Sequence, residues 1–186
     1  GHPIGTIVQH TPEDAERVRN LYDDTIRHAD SEFGRLCDYL ERTGLYDETA
    51  IVVTADHGEL LSEHARLEHA YRPLAGALRR LAPGLSQSKT LFEPGAFVGH
   101  LGTLPYEELL HVPLIIKPPG RTGGGSRTGL VESVDLGPTV AELCGVDFDT
   151  QGESLCPLLE ADRPFKAFVY SDTAISRGIT QLRSVR

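Results

Sequence analysis

The residues of this chain best suited to chemistry are Asp56 and His57, adjacent to each other and followed by Gly58-Glu59. An aspartate offers an anionic oxygen and a neutral imidazole offers a nitrogen, donors suited to Zn²⁺, Mn²⁺ or a similar divalent ion. Neighbours in a regular strand point to opposite faces. Both side chains can reach one ion only if the chain turns, and Gly58 permits a turn. The bare Asp-His-Gly-Glu string leaves three readings open: a metal or anion site, the chemistry of a surface turn, and general acid-base use without metal.

Four more histidines lie downstream. His64 and His69 are five residues apart and do not lie squarely on one helix face, so they are not a His-x-x-x-His zinc pair. A structural role stands level with function for His64 and ahead of it for His69. His100 lies between Gly99 and Leu101-Gly102, where sparse side-chain bulk would admit a ligand. As imidazolium it can stabilise an anionic oxygen, or protonate a leaving alkoxide near neutral pH. His111 reads as structural. Lys117 can attract an anion, although a solvent-exposed lysine is the preferred account.

Elements must hold these groups in place. Ala50-Ile51-Val52-Val53-Thr54-Ala55 is short, apolar and branched, and reads as a strand buried on both faces, the kind found mainly in parallel sheets covered by helices. Asp56 then falls at the carboxyl end of a strand, the usual binding edge of open α/β sheets. Upstream, Thr11-Pro12-Glu13-Asp14 has the form of a helix start. Ala15, Val18, Tyr22, Ile26, Ala29, Phe33, Leu36 and Leu40 predict one buried helical stripe, ended by a left-handed Gly44. Asp23, Asp24 and Asp30 on that helix read as solvated or capping residues.

Downstream of the site, residues 63–81 carry some helical rhythm, interrupted at Pro73. Residues 65–98 form an insertion, for which a lid or specificity insert and a plain surface excursion are both open. Val112 to Ile116 is a second strand constrained by Pro113. Thr122 to Thr128 is a glycine-rich loop without the Lys-Ser/Thr pair of a phosphate loop. Asp135 is placed to cap a short helix over Leu136 to Leu143, with Gly145 past its end. Ala167 to Tyr170 and Gly178 to Val185 complete the strands. Strands alternating with helices predict an α/β fold, a layered mixed β-sheet flanked by helices, as a single domain over residues 1–186.

The 186 residues, 39% of them hydrophobic, suffice for a sizeable core. Eighteen basic against 27 acidic residues give a net charge of -9, which argues against nucleic acid or an anionic membrane as partner. An anionic substrate would have to be attracted locally. No apolar run reaches the roughly 18 to 20 residues of a membrane span, and Gly1-His2-Pro3-Ile4 lacks a signal peptide's apolar stretch. A soluble chain is expected, its compartment open, with the cytoplasm slightly preferred. Cys37, Cys144 and Cys156 are widely spaced and odd in number, so they read as buried or indifferent thiols. The absence of methionine leads to the expectation of a processed chain or a fragment.

Four blocks recur together: Tyr22-Asp23-Asp24-Thr25-Ile26-Arg27-His28-Ala29-Asp30; Gly44-Leu45-Tyr46-Asp47-Glu48-Thr49 running on through Asp56-His57-Gly58-Glu59; Tyr106-Glu107-Glu108-Leu109-Leu110-His111-Val112-Pro113-Leu114-Ile115-Ile116; and Val134-Asp135-Leu136-Gly137-Pro138-Thr139-Val140. In this order the chain, from about Tyr22 to Leu159, resembles the C-terminal part of the sulfatase family, within the alkaline-phosphatase-like superfamily. The resemblance implies a partial alkaline-phosphatase-like fold and part of a metal-dependent, arylsulfatase-like hydrolase of sulfuric esters. Asp56 and His57 resemble two metal ligands, His57 standing where many members use asparagine and others histidine. His100 resembles the cationic, substrate-binding residue that is often lysine, at a slightly longer spacing to Tyr106-Glu107. His64 falls in a Glu-His stretch common near the substrate.

The ion implied is divalent, Ca²⁺ first, with Mn²⁺ or Zn²⁺ as alternatives. Members generally carry further acidic ligands and the nucleophile in their N-terminal portion. In sulfatases that nucleophile is a formylglycine made from Cys or Ser in a Cys/Ser-x-Pro/Ala-x-Arg setting. None of Cys37-Asp38-Tyr39, Cys144-Gly145-Val146 or Cys156-Pro157-Leu158 fits that pattern. The expectation is therefore a chain inactive alone, acting on a sulfate or phosphate ester when joined to a complementing N-terminal part, or an oligomer. A phosphodiesterase or phosphoglycerol transferase of the same superfamily is the enzymatic alternative, and a non-catalytic binding or structural fragment the other.

Overall fold

The computed structural model describes residues 12–61, 63, 98–99, 106–121, 123–174 and 181–186. Along them run α1 (Pro12–Arg42), β1 (Ile51–Thr54), β2 (Leu60–Leu61), β3 (Val98–Gly99), α2 (Glu107–Leu110), β4 (Leu114–Lys117), a 3-10 turn (Ser133–Asp135), α3 (Leu136–Leu143), α4 (Cys156–Glu160), β5 (Tyr170–Ala174) and β6 (Gln181–Val185). Among the described residues the strands pair as β1-β4, β2-β3 and β5-β6. Helices and small sheets thus alternate in a mixed α/β architecture. Two compact units are built from them, one from the described parts of residues 1–30, 56–112 and 173–182, the other from those of 31–55, 113–172 and 183–186.

The helix boundaries follow local chemistry. Pro12 opens α1, with Glu13 and Asp14 in the first turn, where the helix dipole favours acids. Gly44, at φ 73°, closes it: its N–H donates to Glu41 O at 3.0 Å, and Leu45 N–H donates to Leu40 O at 2.8 Å. This is a Schellman ending, and α3 repeats it at Gly145, with Val146 N–H on Ala141 O at 2.9 Å. The apolar stripe of α1 is not buried as its period predicts. Ile26 is 51% and Leu36 52% exposed, and Tyr22 and Phe33 are exposed as well. A 3.6-residue period places side chains on one face; whether that face is covered depends on other elements.

In the second unit, β1 runs antiparallel to β4, pairing Ile51 with Lys117 and Thr54 with Leu114. This corrects the parallel, doubly buried reading of residues 50–55: β1 is half-buried up to an exposed Thr54, and Ile115 of β4 is exposed. A short branched run fixes strand character but not the direction of its partner. Pro113, unable to donate to a ladder, stands just ahead of β4. Lys117 is also corrected, being no plain exposed lysine but half-buried and bonded within its own unit. Its ammonium donates to Tyr46 O at 2.6 Å and Thr49 O at 3.0 Å, and lies 4.5 Å from the centre of the Tyr46 ring.

The core of this unit gathers Leu155, Leu158, Thr139 and Asp135. Asp135 stands at the N-cap of α3 but makes no side-chain cap bond there. Its fully buried carboxylate instead accepts from Glu132 N at 2.8 Å, Glu153 N at 2.9 Å and Lys166 Nζ at 2.8 Å. Thr139 Oγ1 donates to Asp135 O and accepts from Leu155 N at 2.8 Å. Lys166 also donates to Glu132, whose other oxygen accepts from Tyr170 N at 2.7 Å. The Lys166 bond and then the Tyr170 amide hold the Glu132 carboxyl below its ordinary range. Burial works against the Lys166 charge, but its bonds to Asp135 and Glu132 prevail and hold the ammonium above its ordinary value.

The glycine-rich loop is tied down at its far end, where Arg127 donates to Leu158 O and Leu159 O and Thr128 N–H donates to Asp162. The strand expected at residues 167–170 starts later, β5 beginning at Tyr170, although Val169 and Arg186 exchange backbone bonds of 2.9 and 3.1 Å. The three cysteines are free thiols, and burial pushes the Cys156 thiol up. Among the described residues no helix is long and apolar enough to cross a membrane.

Candidate functional site

Asp56 and His57 belong to the first unit, at a bend just after β1 in the chain. The Asp56 side chain is 88% exposed. Its Oδ1 accepts the His57 backbone N–H at 3.0 Å, which folds the carboxylate back over its neighbour. The half-exposed imidazole places Nδ1 2.8 Å from Gly58 O. A carbonyl oxygen only accepts, so Nδ1 carries the ring proton and the lone pair of the neutral ring is on Nε2. Nε2 lies 3.6 Å from Asp56 Oδ2.

The donor set fits a divalent cation in part. Two ligands about 2.4 Å from one ion, set at about a right angle, stand roughly 3.4 Å apart, close to what an oxygen-preferring ion such as Ca²⁺ requires. A metal-bound histidine ordinarily donates its other ring N–H to a carbonyl or carboxylate, as Nδ1 does here. Among the described residues no group of three or more His, Cys, Asp and Glu side chains comes together. The pair is thus two donors, short of a full coordination sphere.

Gly58 fastens this segment to the chain ahead of β4. Its N–H donates to Leu109 O at 2.9 Å. Leu109, the acceptor, and Leu60, two residues past Gly58 in the chain, are both buried. The α2 turn is closed by Leu109 N–H on Tyr106 O at 3.0 Å and His111 N–H on Glu107 O at 2.8 Å. His111 stays on the surface, Nδ1 3.3 Å from Glu107 Oε1. Next along the chain, β2 pairs with β3, Leu60 opposite Gly99 and Leu61 opposite Val98. Arg19 Nη2 of α1 donates to Leu61 O at 2.9 Å, and Leu61 N–H to Glu63 Oε2 at 2.6 Å.

The sequence-predicted residues therefore separate into two groups. Asp56 and His57 are brought together. His64, His69 and His100 lie outside the described residues, as does the 65–98 insertion except Val98. Their neighbours in sequence, Glu63 and Gly99, are described and both meet β2. Asp23 and Asp24 do not join the pair: Asp24 forms an exposed ion pair with Arg27 at 2.7 Å. Sequence reasoning gave Gly58 a turn-permitting role, but it is not among the glycines at positive φ. What it supplies is close approach to α2. The recurrence of Tyr106 to His111 in the same family block as β4 was the one available signal. The pairing of Lys166 with Glu132 and Asp135 had no signal, because Lys166 lies 34 and 31 residues further along the chain.

The comparisons with known proteins concern the family and the fold. The family model described as Sulfatase matches residues 5–146. An N-acetylglucosamine-6-O-sulfatase from Bacteroides thetaiotaomicron is 31% identical over 139 residues, covering 73% of this chain and 19% of its own. Arylsulfatase K from Xenopus laevis is 30% identical over 153 residues, with 81% and 22% covered. Among solved structures, a phosphonate monoester hydrolase from Silicibacter pomeroyi superposes with a TM-score of 0.69 at 28% identity, covering 93% of this chain and 28% of that one. A protein solved in complex with its substrate D-glucosamine-2-N,6-O-disulfate gives 0.62 at 27% identity, covering 87% and 28%. The chain spans about a fifth of the length of the curated relatives it matches.

Proposed function

Because this chain belongs to the sulfatase family, we propose that it contributes part of the metal and substrate site of a metal-dependent, arylsulfatase-like hydrolase of sulfuric esters. The observation that carries the reading is the Asp56-His57 pair, with Nδ1 committed to Gly58 O and Nε2 beside Asp56 Oδ2. Asp56 and His57 hold the ion, Ca²⁺ first, with Mn²⁺ or Zn²⁺ as alternatives. When bound, the ion supplies Lewis-acid polarisation of the ester oxygens. His100 binds the anionic group or protonates the leaving oxygen, and His64 binds substrate. The pairing of Gly99 with Leu60 supports His100 in this role, since it holds the residue before His100 on the strand that follows Gly58-Glu59.

The nucleophile, a formylglycine made from Cys or Ser, belongs in this reading to a complementing portion, since no cysteine here has the required setting. Calorimetry with Ca²⁺, Mn²⁺ and Zn²⁺ tests the pair: one site is expected in the native chain and none in Asp56→Asn or His57→Ala. A folded chain that binds none of the three ions ends the metal reading. Sulfate monoesters mixed with the chain and metal are expected to survive; robust turnover would refute the assignment of the nucleophile elsewhere.

One observation favours a second reading, phosphoryl or phosphonyl transfer by a phosphodiesterase or phosphoglycerol transferase. It is the fold similarity to a phosphonate monoester hydrolase. The nucleophile bears on the choice: a Cys/Ser-x-Pro-x-Arg motif in the complementing portion favours sulfate esters, and a threonine without that motif favours phosphoryl chemistry.

A further inference from the structure

Gly58 is engaged on both sides of its α-carbon. Its N–H donates to Leu109 O at 2.9 Å, and its carbonyl accepts from His57 Nδ1 at 2.8 Å. A β-carbon added there would overlap the carbonyl oxygen of Glu108, and would lie 2.9 Å from the carbonyl carbon of Glu108 and 3.2 Å from Leu109 Cα. All three are backbone atoms of α2, which cannot swing aside as the end of a flexible side chain can. They are further fixed by the α2 hydrogen bonds and by the burial of Leu109. Gly58 is not at positive φ, so what the position demands is space.

We propose that Gly58 is the positioning residue of the Asp56-His57 pair: seated on the Tyr106 to Leu110 turn, it aims its carbonyl at Nδ1, fixes the Nδ1–H tautomer of His57, and so presents Nε2 beside Asp56 Oδ2 to a divalent cation. The cation-binding part rests on the metal reading of the pair, whereas the tautomer is a property of the metal-free chain. A side chain at position 58 lifts the segment off α2 and takes the carbonyl away from Nδ1. The ring then also populates the Nε2–H form, which has no lone pair to offer on that side. Apparent affinity falls in proportion to the competent fraction, so a drop of that fraction to a tenth weakens binding about tenfold.

The test combines two measurements on the full chain: long-range ¹⁵N–¹H correlation of the histidine rings without metal, at a pH that keeps imidazoles neutral, and Mn²⁺ affinity by calorimetry. The native chain is expected to show His57 as Nδ1–H. Gly58→Ala is expected to show a mixed or Nε2–H ring and about tenfold weaker Mn²⁺ binding. An Nε2–H ring in the native chain overturns the proposal, as does an unchanged tautomer in a folded Gly58→Ala. If that variant does not fold, the native tautomer together with slow exchange of the Gly58 amide decides the matter, and a rapidly exchanging amide counts against it. Native Nδ1–H that is lost in Gly58→Ala, without any Mn²⁺ binding, overturns the metal reading and upholds the hold of Gly58 on the ring. Mn²⁺ binding that Asp56→Asn abolishes and Gly58→Ala leaves intact overturns the positioning role alone.

Discussion

Asp56 and Asp135 both lie within the residues that the sulfatase family model matches, and both stand near a glycine with no room for a side chain, yet they are placed oppositely. Asp56 is 88% exposed, with one oxygen on the next backbone amide and the other turned toward His57 Nε2. Asp135 is fully buried and takes two backbone amides and the Lys166 ammonium. Gly152 approaches it as Gly58 approaches α2, a β-carbon there colliding with the Val134 carbonyl and lying 3.0 Å from Asp135 Cα. An acid whose oxygens are saturated by its own chain inside a core is architecture. An exposed acid whose second oxygen turns to an imidazole keeps its carboxylate at the surface. Burial and the identity of the partners, not residue type, separate the two.

The sharpest test of this contrast is Asp135→Ala, which takes one of its two carboxylate partners from the Lys166 ammonium and leaves two backbone donors unpaired. A loss of about 3–5 kcal/mol in denaturant unfolding is expected, with Mn²⁺ affinity of any remaining folded protein unchanged. An effect under 1 kcal/mol would erase the distinction. Asp56→Asn should do the reverse: cation affinity falls about 100-fold or more by calorimetry, as expected when a ligand rather than an outer-shell partner is changed, while the unfolding midpoint barely moves. Gly152→Ala comes next, with about 1–3 kcal/mol of destabilisation from overpacking and no change in metal binding.

The pH dependence of stability should follow the buried cluster. The folded-state lowering of Glu132 gives stability that is present above its ordinary value of 4.5 and lost as pH falls through the lower folded value. The raised Lys166 gives stability present below 10.5 and lost as pH rises through the higher folded value. Thermal melts should therefore show a plateau between these limits with losses on both sides, and Lys166→Met should flatten both limbs. The smallest change is expected at the exposed Arg27-Asp24 pair, where Arg27→Ala should cost less than about 0.5 kcal/mol and shrink further in salt.

Much of the fold and half of the candidate site were legible because their signals are local. Pro12 with Glu13-Asp14, and Gly44 and Gly145 past helix ends, act through atoms within one turn of themselves. The expected strands at Ile51 and Leu114 formed, and Asp56-His57 came together at a bend after the first of them. The stripe from Ala15 to Leu40 was legible as a face but not as a covered one. Lys117 was misjudged because its partners Tyr46 and Thr49 lie far back in the chain, in the stretch that follows α1.

By itself, then, the sequence determined the family, the helix limits, the strand-forming runs and the adjacency of an oxygen and a nitrogen donor, since each is written in neighbours or in the order of motifs. Only the tertiary structure decided that β1 and β4 run antiparallel, that Asp135 is sealed by Lys166, and that Gly58 fits against Glu108 and Leu109. Those outcomes depend on which distant atoms share a volume. A backbone carbonyl from α2 leaves no room for a side chain at Gly58, and nothing within a few residues of Gly58 encodes its arrival.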